Sequence, residues 1–252
     1  MRRHASTRTA FGALRWSSIA LAVWCAAGSA LAAPATLAPG VLTVCASAAF
    51  PPVLFKSGQA LVGSDVAFLR GFAKSHKLEL AFREFAFDGL WLRPGRDECD
   101  LAAAGLSHLA SRESPGVVWS RPYHTVLRTL LIRKDRGATL RTIADFSGRS
   151  IGFVTNSTAD LDVRARAPAG AVLRDYAEAA PGIAEVRAGT LDAFADGNVT
   201  SEDFAARFPE LAVIDAHSFD PAEVLAFALR ARSGLREALD GYIEANRDAY
   251  GK

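Results

Sequence analysis

Short apolar segments alternate along the chain with amphipathic ones. Residues 41–44 form a compact apolar run that predicts a buried strand, and the strict alternation over 78–82 predicts another strand. Between them, Val66 and Leu69 begin an apolar repeat at helical spacing, and Ser64 stands where a helix cap is expected. The order of strand, helix and strand indicates α/β layers around a mainly parallel sheet.

The same alternation continues through the rest of the chain. Further strands are predicted at residues 100–107, 126–132, 151–154, 172–173, 191–194 and 211–214. Ser157 is placed to cap a helix, Pro181 to start another, and residues 200–203 resemble a capping box before a third. Leu235 and Leu239 lie on the apolar face of a final helix.

Composition is that of an ordinary globular protein, since 50% of the 252 residues are hydrophobic and 22% are charged. These values exclude a disordered tail, a collagen-like fibre and a multi-span membrane protein. The chain has 29 basic and 27 acidic side chains, but four of the arginines precede residue 33. Without that segment the balance becomes slightly acidic, which argues against nucleic-acid binding because phosphate contacts need a clustered cationic surface.

The first residues have the layout of a secretory leader. A basic start extends to Arg15, an apolar run covers 19–27, and small residues end at Ala32. The apolar run is shorter than the ~20 residues that span a membrane, and Pro34 follows it closely. We therefore predict a signal peptide over residues 1–32, cleaved after Ala32, and an exported protein.

Cys45 and Cys99 are the cysteines that follow this leader. An oxidising compartment permits a disulfide, but Cys45 lies near the end of the first strand and Cys99 before the third. At ~3.3 Å per residue that offset exceeds the ~7 Å Cα limit for a disulfide, so we expect the two thiols to be unbonded. The cysteine and histidine spacing matches no metal motif, and we expect neither a metal nor a cofactor.

Several short motifs follow one another in a fixed order from about residue 38 to 160. They are Gly40-Val41-Leu42-Thr43-Val44, Phe50-Pro51-Pro52, Gly63-Ser64-Asp65-Val66, Phe87-Asp88-Gly89-Leu90, residues 100–107, Arg112, Ser120-Arg121-Pro122-Tyr123 and Ser157-Thr158. In this order and spacing the chain resembles the periplasmic solute-binding proteins of ABC importers, of the amino-acid-binding family 3 type. The later part of the chain matches less closely.

The resemblance implies an α/β, two-lobed periplasmic-binding-protein fold of type II. Each lobe would be a doubly wound, mainly parallel sheet, with two strands forming a hinge. The larger lobe would comprise residues 33–132 plus 216–252, and the smaller, inserted lobe residues 133–215. The protein would be a periplasmic monomer that captures a small carboxylate ligand, an amino acid, and delivers it to an ABC permease in the inner membrane.

The resemblance also implies a set of ligand-binding residues. They are Phe50, Phe87, Gly105, Ser107, Arg112, Ser157, Thr158 and Asp196. A guanidinium such as that of Arg112 can hold a carboxylate through two parallel hydrogen bonds, and the helix beginning near Thr158 offers free backbone N–H groups. Several of these residues follow predicted strands, and ligands of doubly wound sheets lie beyond the carboxyl ends of strands. Asp196 is expected to accept the ligand's amino group.

Some positions have a second interpretation. Phe87 is equally compatible with a core position, and Asp192 reads as a structural or surface acid. Ser157 and Thr158 can instead cap their helix, a role that does not exclude anion binding. Ser47 and Leu109 replace polar residues that are frequent in the family, which predicts a less polar pocket.

Two other functions remain open. Some proteins of this architecture resemble cyclohexadienyl or arogenate dehydratases, which need an acid in the cleft, and Glu202 or Asp196 would be the candidates. Others are accessory or sensor subunits of periplasmic quinoprotein dehydrogenase systems and carry cysteines placed like Cys45 and Cys99. No nucleophile elbow or phosphate loop occurs, so we expect a binding protein and assign no catalytic residue.

Overall fold

The structure is a computed structural model that describes Met1 and residues 34–247. The predicted cleavage site lies outside the described residues, as does nearly all of the predicted leader. The α-helices of the described part are α1 (Ser64–Ser75), α2 (Thr158–Arg166), α3 (Ala179–Ala188), α4 (Asn198–Arg207) and α5 (Leu235–Ala245). None of the helices in this part is both long enough and apolar enough to cross a membrane.

The strands of residues 34–247 divide among four sheets. They are β1 (Val41–Ala46), β2 (Ala49–Phe50), β3 (Leu54–Ser57), β4 (Ala60–Val62), β5 (Glu79–Glu84), β6 (Leu101–Ala103), β7 (Val117–Trp119), β8 (His124–Val126), β9 (Arg128–Arg133), β10 (Ser150–Val154), β11 (Val172–Tyr176), β12 (Ala193–Gly197), β13 (Leu211–His217), β14 (Glu223–Leu225) and β15 (Ala228–Arg230). The mixed α/β character predicted from the sequence is confirmed.

The first five-stranded sheet has the order β5-β1-β6-β15-β7. Strands β5, β1 and β6 run parallel, whereas β15 is antiparallel to both of its neighbours. Helices α1 and α5 cover this sheet, and Phe72 and Leu239 from these helices pack in one core with Leu42 and Leu101 from the strands. The apolar periodicity of both helices thus meets the buried face of the sheet.

The second five-stranded sheet has the order β11-β10-β12-β9-β13. Strand β9 is antiparallel to β12 and β13, and its Leu131 packs with Ile183 of α3 and Phe204 of α4. Residues 128–132 therefore pair within this sheet, although the predicted bounds place them in the larger lobe. The division of the chain into two lobes otherwise stays a prediction.

The chain passes between the two sheets at a short antiparallel pair formed by β8 and β14. Strand β8 follows β7 of the first sheet and precedes β9 of the second, and β14 follows β13 and precedes β15. The pair is placed where the predicted two-strand hinge would be, and its action as a hinge stays a prediction.

Cys45 and Cys99 form a disulfide, with their Cα atoms 5.7 Å apart, so the expectation of free thiols is wrong. That expectation treated the segment before β6 as a straight continuation of the strand. The chain instead bends at Asp100, whose carboxylate accepts from the backbone N–H groups of Leu37 at 2.7 Å and Thr43 at 2.8 Å. This bend brings Cys99 back beside β1, where both sulfurs are fully buried in one apolar cluster.

Two predicted helix caps are also corrected. Helix α1 is capped at Gly63 without a side-chain hydrogen bond, so Ser64 is the first helical residue. Helix α4 starts directly after β12, which places Thr200 and Ser201 inside the helix and fully buried. The predicted cap at Ser157 is confirmed, because its hydroxyl accepts from the backbone N–H of Asp160.

Candidate ligand-binding site

One cleft brings together every residue of the predicted ligand-binding set. Phe50, Phe87, Gly105, Ser107, Arg112, Ser157, Thr158 and Asp196 all line it. The structure thus places these residues together, and their contact with a ligand remains a prediction.

Gly105 lies on the wall of the cleft that the first five-stranded sheet forms. It follows β6 with φ at +59°, and its N–H donates to the buried carboxylate of Asp65 at 3.1 Å. A Cβ at this position would lie 2.4 Å from the ring of Phe50. Glycine is therefore required both by the left-handed backbone and by the close approach of the aromatic ring.

Arg112 is buried, and its guanidinium is held by backbone carbonyls. Nη1 donates to Ser107 O and Nη2 to Asn156 O, each at 2.9 Å. The guanidinium carbon lies 4.4 Å from the ring centroid of Trp91 and 5.6 Å from that of Phe87. Burial lowers the pKa of Arg112 to about 10, so the side chain still carries its charge at neutral pH.

Sequence reasoning missed a buried ion pair beside the cleft, in which Arg128 lines the cleft and Glu223 lies behind that lining. Glu223 Oε2 lies 2.9 Å from Arg128 Nε, and the two side chains are 0% and 6% exposed. The other oxygen of Glu223 accepts from the hydroxyls of both Ser107 and Thr158, the latter at 2.7 Å. No local motif links Arg128 to Glu223. The sequence feature that could have indicated this pair is that each residue is a charged residue at the start of an apolar strand.

Asp196 lies near the end of β12. Its Oδ1 accepts from the N–H of Gly197 at 2.7 Å, whereas its buried Oδ2 has no hydrogen-bond partner among the described residues. Burial raises the pKa of Asp196 to about 6, and the charge of Arg128 opposes this effect. An unpaired carboxylate oxygen on a residue that lines the cleft is suited to a cationic or hydrogen-bond-donating group.

Asp192 is structural, as interpreted from the sequence. Its Oδ2 accepts from the N–H and from the hydroxyl of Ser150, both at 2.9 Å. These bonds join the starts of neighbouring strands β10 and β12, away from the cleft. Helix α4 carries Glu202, which does not line the cleft, so Asp196 alone of the two proposed catalytic acids lies there.

Residues 42–248 match the family model of bacterial extracellular solute-binding proteins, family 3. The chain belongs to this family. The solute-binding role and the type II periplasmic binding fold inferred from the motifs are thereby confirmed.

Curated relatives of this family 3 protein include the arginine-binding extracellular protein ArtP of Bacillus subtilis (strain 168), 26% identical over 111 residues, or 44% of this chain and 42% of ArtP. A probable histidine-binding protein of Campylobacter jejuni is 24% identical over 162 residues, or 64% of this chain and 62% of the relative. The matches thus span only about two fifths to three fifths of the length of these relatives.

Solved structures of arginine-binding proteins share the two-lobed architecture. The arginine-bound form of truncated ArgBP from T. maritima is 25% identical with a TM-score of 0.73, covering 82% of this chain and 96% of that one. The amino acid ABC transporter substrate-binding protein AbpA from Streptococcus pneumoniae, bound to L-arginine, is 24% identical with a TM-score of 0.75, covering 83% and 90%. The matched proteins are binding proteins.

Phe87 of this family 3 protein lies between the cleft and a core cluster, and its contact with a ligand stays a prediction. It lines the cleft, and it also packs against Trp91 at 6.2 Å between ring centroids at the edge of the apolar cluster around the disulfide. Among the described residues, no group of three or more His, Cys, Asp or Glu side chains is placed to hold a metal ion.

Proposed function

We propose that the protein captures a small amino acid in this cleft for uptake through an ABC permease, and that it is not an enzyme. The observation that carries the proposal is the presence of opposite charges in one cleft, which both Arg112 and Asp196 line. Arg112 would hold the α-carboxylate and Asp196 Oδ2 the amino group, which would supply the partner that this oxygen lacks. The names of the arginine- and histidine-binding relatives support this ligand class.

The two walls of the cleft are proposed to close on the ligand. Residues 33–132 plus 216–252 would form the larger lobe and residues 133–215 the smaller one, with β8 and β14 as the hinge. A ligand that touches Arg112 on one side and Asp196 on the other would favour the closed arrangement, because its contacts with both sides form only there.

The protein is proposed to act in the periplasm as a monomer. Its leader, residues 1–32, would be removed on export, and the Cys45–Cys99 disulfide is compatible with an oxidising compartment. Partners would be the ligand and the permease, with no nucleic acid.

The test begins with protein purified from the periplasm and denatured at once, so that any bound ligand is released and identified by mass spectrometry. A thermal-shift panel of amino acids and small organic acids then ranks ligands, since a ligand at 100 times its dissociation constant stabilises the fold by about 2.7 kcal/mol. Failure of every amino acid to bind or to stabilise the protein would reject the proposal.

Asp196→Asn distinguishes the two ends of the ligand. The variant is expected to weaken amino-acid binding while sparing the matching carboxylic acid that lacks the amino group. Asp192→Asn serves as the control, because Asp192 bonds to Ser150 outside the cleft. Equal losses for both ligands would remove Asp196 from the amino-group site.

A second candidate function is an accessory or sensor subunit of a periplasmic quinoprotein dehydrogenase system. The observation that favours it is the disulfide between Cys45 and Cys99, the positions in which such relatives also carry cysteines. Size-exclusion chromatography of the protein mixed with a purified periplasmic quinoprotein dehydrogenase tests it, and a co-eluting complex without any amino-acid ligand would favour this function.

A further inference from the structure

The carboxylate-binding groups of the cleft already hold a carboxylate that belongs to the chain itself. The hydroxyls of Ser107 and Thr158 both donate to the same oxygen of Glu223, and Arg128 lies against its other oxygen at 2.9 Å. These two hydroxyls belong to the residues expected to bind the ligand's carboxylate. Glu223, which does not itself line the cleft, therefore engages two hydroxyls that the ligand's carboxylate would use.

The hydrogen bonds of Glu223 also connect the two walls of the cleft, which are the sides formed by the first and the second five-stranded sheet. Ser107 follows β6 of the first sheet, and Thr158 begins α2, which leads out of β10 of the second sheet. Glu223 itself begins β14 in the strand pair that joins the sheets, and the backbone of Ser107 bridges to Leu225 of that strand. One side-chain carboxylate is thus bonded to both walls.

The charge of Glu223 also disfavours a second carboxylate in this part of the cleft. Arg112 and Arg128 supply the positive charge of this end of the cleft, and Glu223 is the fully buried acid whose negative charge acts on both. A second carboxylate brought beside Glu223 would meet a like charge in a poorly solvated site, which is unfavourable. It would also find the two hydroxyls already engaged.

We propose that Glu223 is an internal competitor for the ligand's carboxylate: a bound amino acid must displace it from Ser107 and Thr158, and Arg128 keeps the displaced side chain paired. The inference rests on the proposed amino-acid-binding function and specifies how the affinity of that site is set. Ligands with a carboxylate lose binding free energy in displacing Glu223, whereas a related amine without a carboxylate does not. Glu223 is therefore a specificity-determining residue.

The test compares wild type with Glu223→Gln by isothermal titration calorimetry. The probes are the amino acid that gives the largest thermal shift and the amine obtained by removing its carboxylate. Gln keeps the side-chain shape but loses the charge, so we expect the amino acid to bind about tenfold more tightly or better, and the amine to change less than about threefold. Equal affinity of the amino acid for both proteins would overturn the inference.

Glu178→Gln controls for a general loss of negative charge. Glu178 is exposed and lines the same cleft from the position before α3, so its removal is expected to tighten amino-acid binding by less than about threefold. A gain as large as that of Glu223→Gln would show a nonspecific field effect and would overturn the inference.

Glu223→Gln leaves Arg128 buried without its partner, so a second comparison avoids a folding defect. Arg128→Gln is compared with the double variant Arg128→Gln/Glu223→Gln, in which both members of the pair are neutral. The double variant is expected to bind the amino acid more tightly than Arg128→Gln, because only the single variant retains the competing carboxylate. Equal affinities would overturn the inference while leaving the proposed function intact, whereas no amino-acid binding to any of these proteins would reject both.

Discussion

Nη2 of Arg112 donates to the backbone carbonyl of Asn156 at 2.9 Å. Arg112 follows β6 of the first sheet and Asn156 follows β10 of the second, so this single hydrogen bond crosses the cleft. The side chain predicted to anchor a ligand is thus also a tie between the two walls. A guanidinium has five N–H donors, and the two carbonyl bonds leave the others for a ligand.

Replacing Arg112 by lysine is expected to weaken binding of the best amino-acid ligand by at least about tenfold. Lysine keeps the charge but cannot hold the carbonyls of Ser107 and Asn156 and a carboxylate with a planar fork. Calorimetric titration measures the loss. Arg121→Lys is the matched control, because Arg121 is an exposed arginine in an ion pair outside the cleft. Unchanged affinity in Arg112→Lys would remove Arg112 from the site.

Gly105→Ala is expected to weaken ligand binding, because the new Cβ would displace the ring of Phe50 from its place over the backbone. Gly148→Ala separates this effect from backbone strain. Gly148 also has a positive φ, at +72°, but a Cβ there meets no atom within 4 Å. Both variants should lose about 1 kcal/mol from strain in chemical denaturation, and only Gly105→Ala should lose affinity. Equal affinities would contradict the packing argument.

Asp196→Asn is expected to stabilise the ligand-free protein at neutral pH. The pKa of Asp196 is raised from 3.8 to about 6 in the folded protein, so the folded state holds this proton more tightly than the unfolded state. Proton binding by Asp196 therefore favours the folded state at low pH, and this contribution to the free energy of unfolding is lost as the pH rises from about 4 to 6. At pH 7.5 the ionised Asp196 lowers the free energy of unfolding by up to about 3 kcal/mol.

Urea unfolding of Asp196→Asn and wild type at pH 4 and pH 7.5 checks this prediction. The variant should gain stability at pH 7.5 and differ little at pH 4. Asp97→Asn, at an exposed position, should show no such pH-dependent gain. A uniform effect of Asp196→Asn at both pH values would contradict the raised pKa.

The double substitution Cys45→Ala/Cys99→Ala is expected to lower the free energy of unfolding by about 4 kcal/mol. The disulfide closes a loop with a sequence separation of 54, and removing it releases that restraint in the unfolded chain. Urea unfolding measures the loss, and the unreduced wild type should show no free thiol from these cysteines after unfolding. Two titratable thiols would contradict the bond.

Cleavage after Ala32 is expected when the protein is exported, because small residues precede that bond. N-terminal sequencing of the periplasmic product should begin at Ala33. A product that retains Arg2 to Arg15 would show that the leader prediction is wrong.

The repeating strands and helices were predictable because their apolar periodicity matches their buried faces. Strand β1 and helix α5 follow this rule closely, with Leu42, Leu235 and Leu239 fully buried. The sequence could not indicate where exposed turns pair with each other, so the three-stranded sheet β2-β3-β4 was missed. Its strands are short and mostly exposed or half-buried, which leaves little hydrophobic pattern to detect.

The candidate site was predictable only where its residues follow a family motif. Phe50, Gly105 and Arg112 do so, and the cleft contains all three. Arg128 and Glu223 are far apart in the chain, and their pairing is created by the way the chain crosses between the two sheets. The disulfide was missed for a related reason, because the bend at Asp100 depends on hydrogen bonds to distant backbone groups.

Gly197 lies opposite Arg128 in the ladder between β12 and β9, and a Cβ at Gly197 would meet Arg128 Nη2 at 2.8 Å. A relative with a side chain at position 197 would therefore have to shift the Arg128 guanidinium or carry a shorter residue at 128. Without that arginine, a buried acid at position 223 would lose its directly paired counterion. Substitutions at positions 128, 197 and 223 are thus expected to occur together as the family diverges, so that the three positions co-vary among relatives.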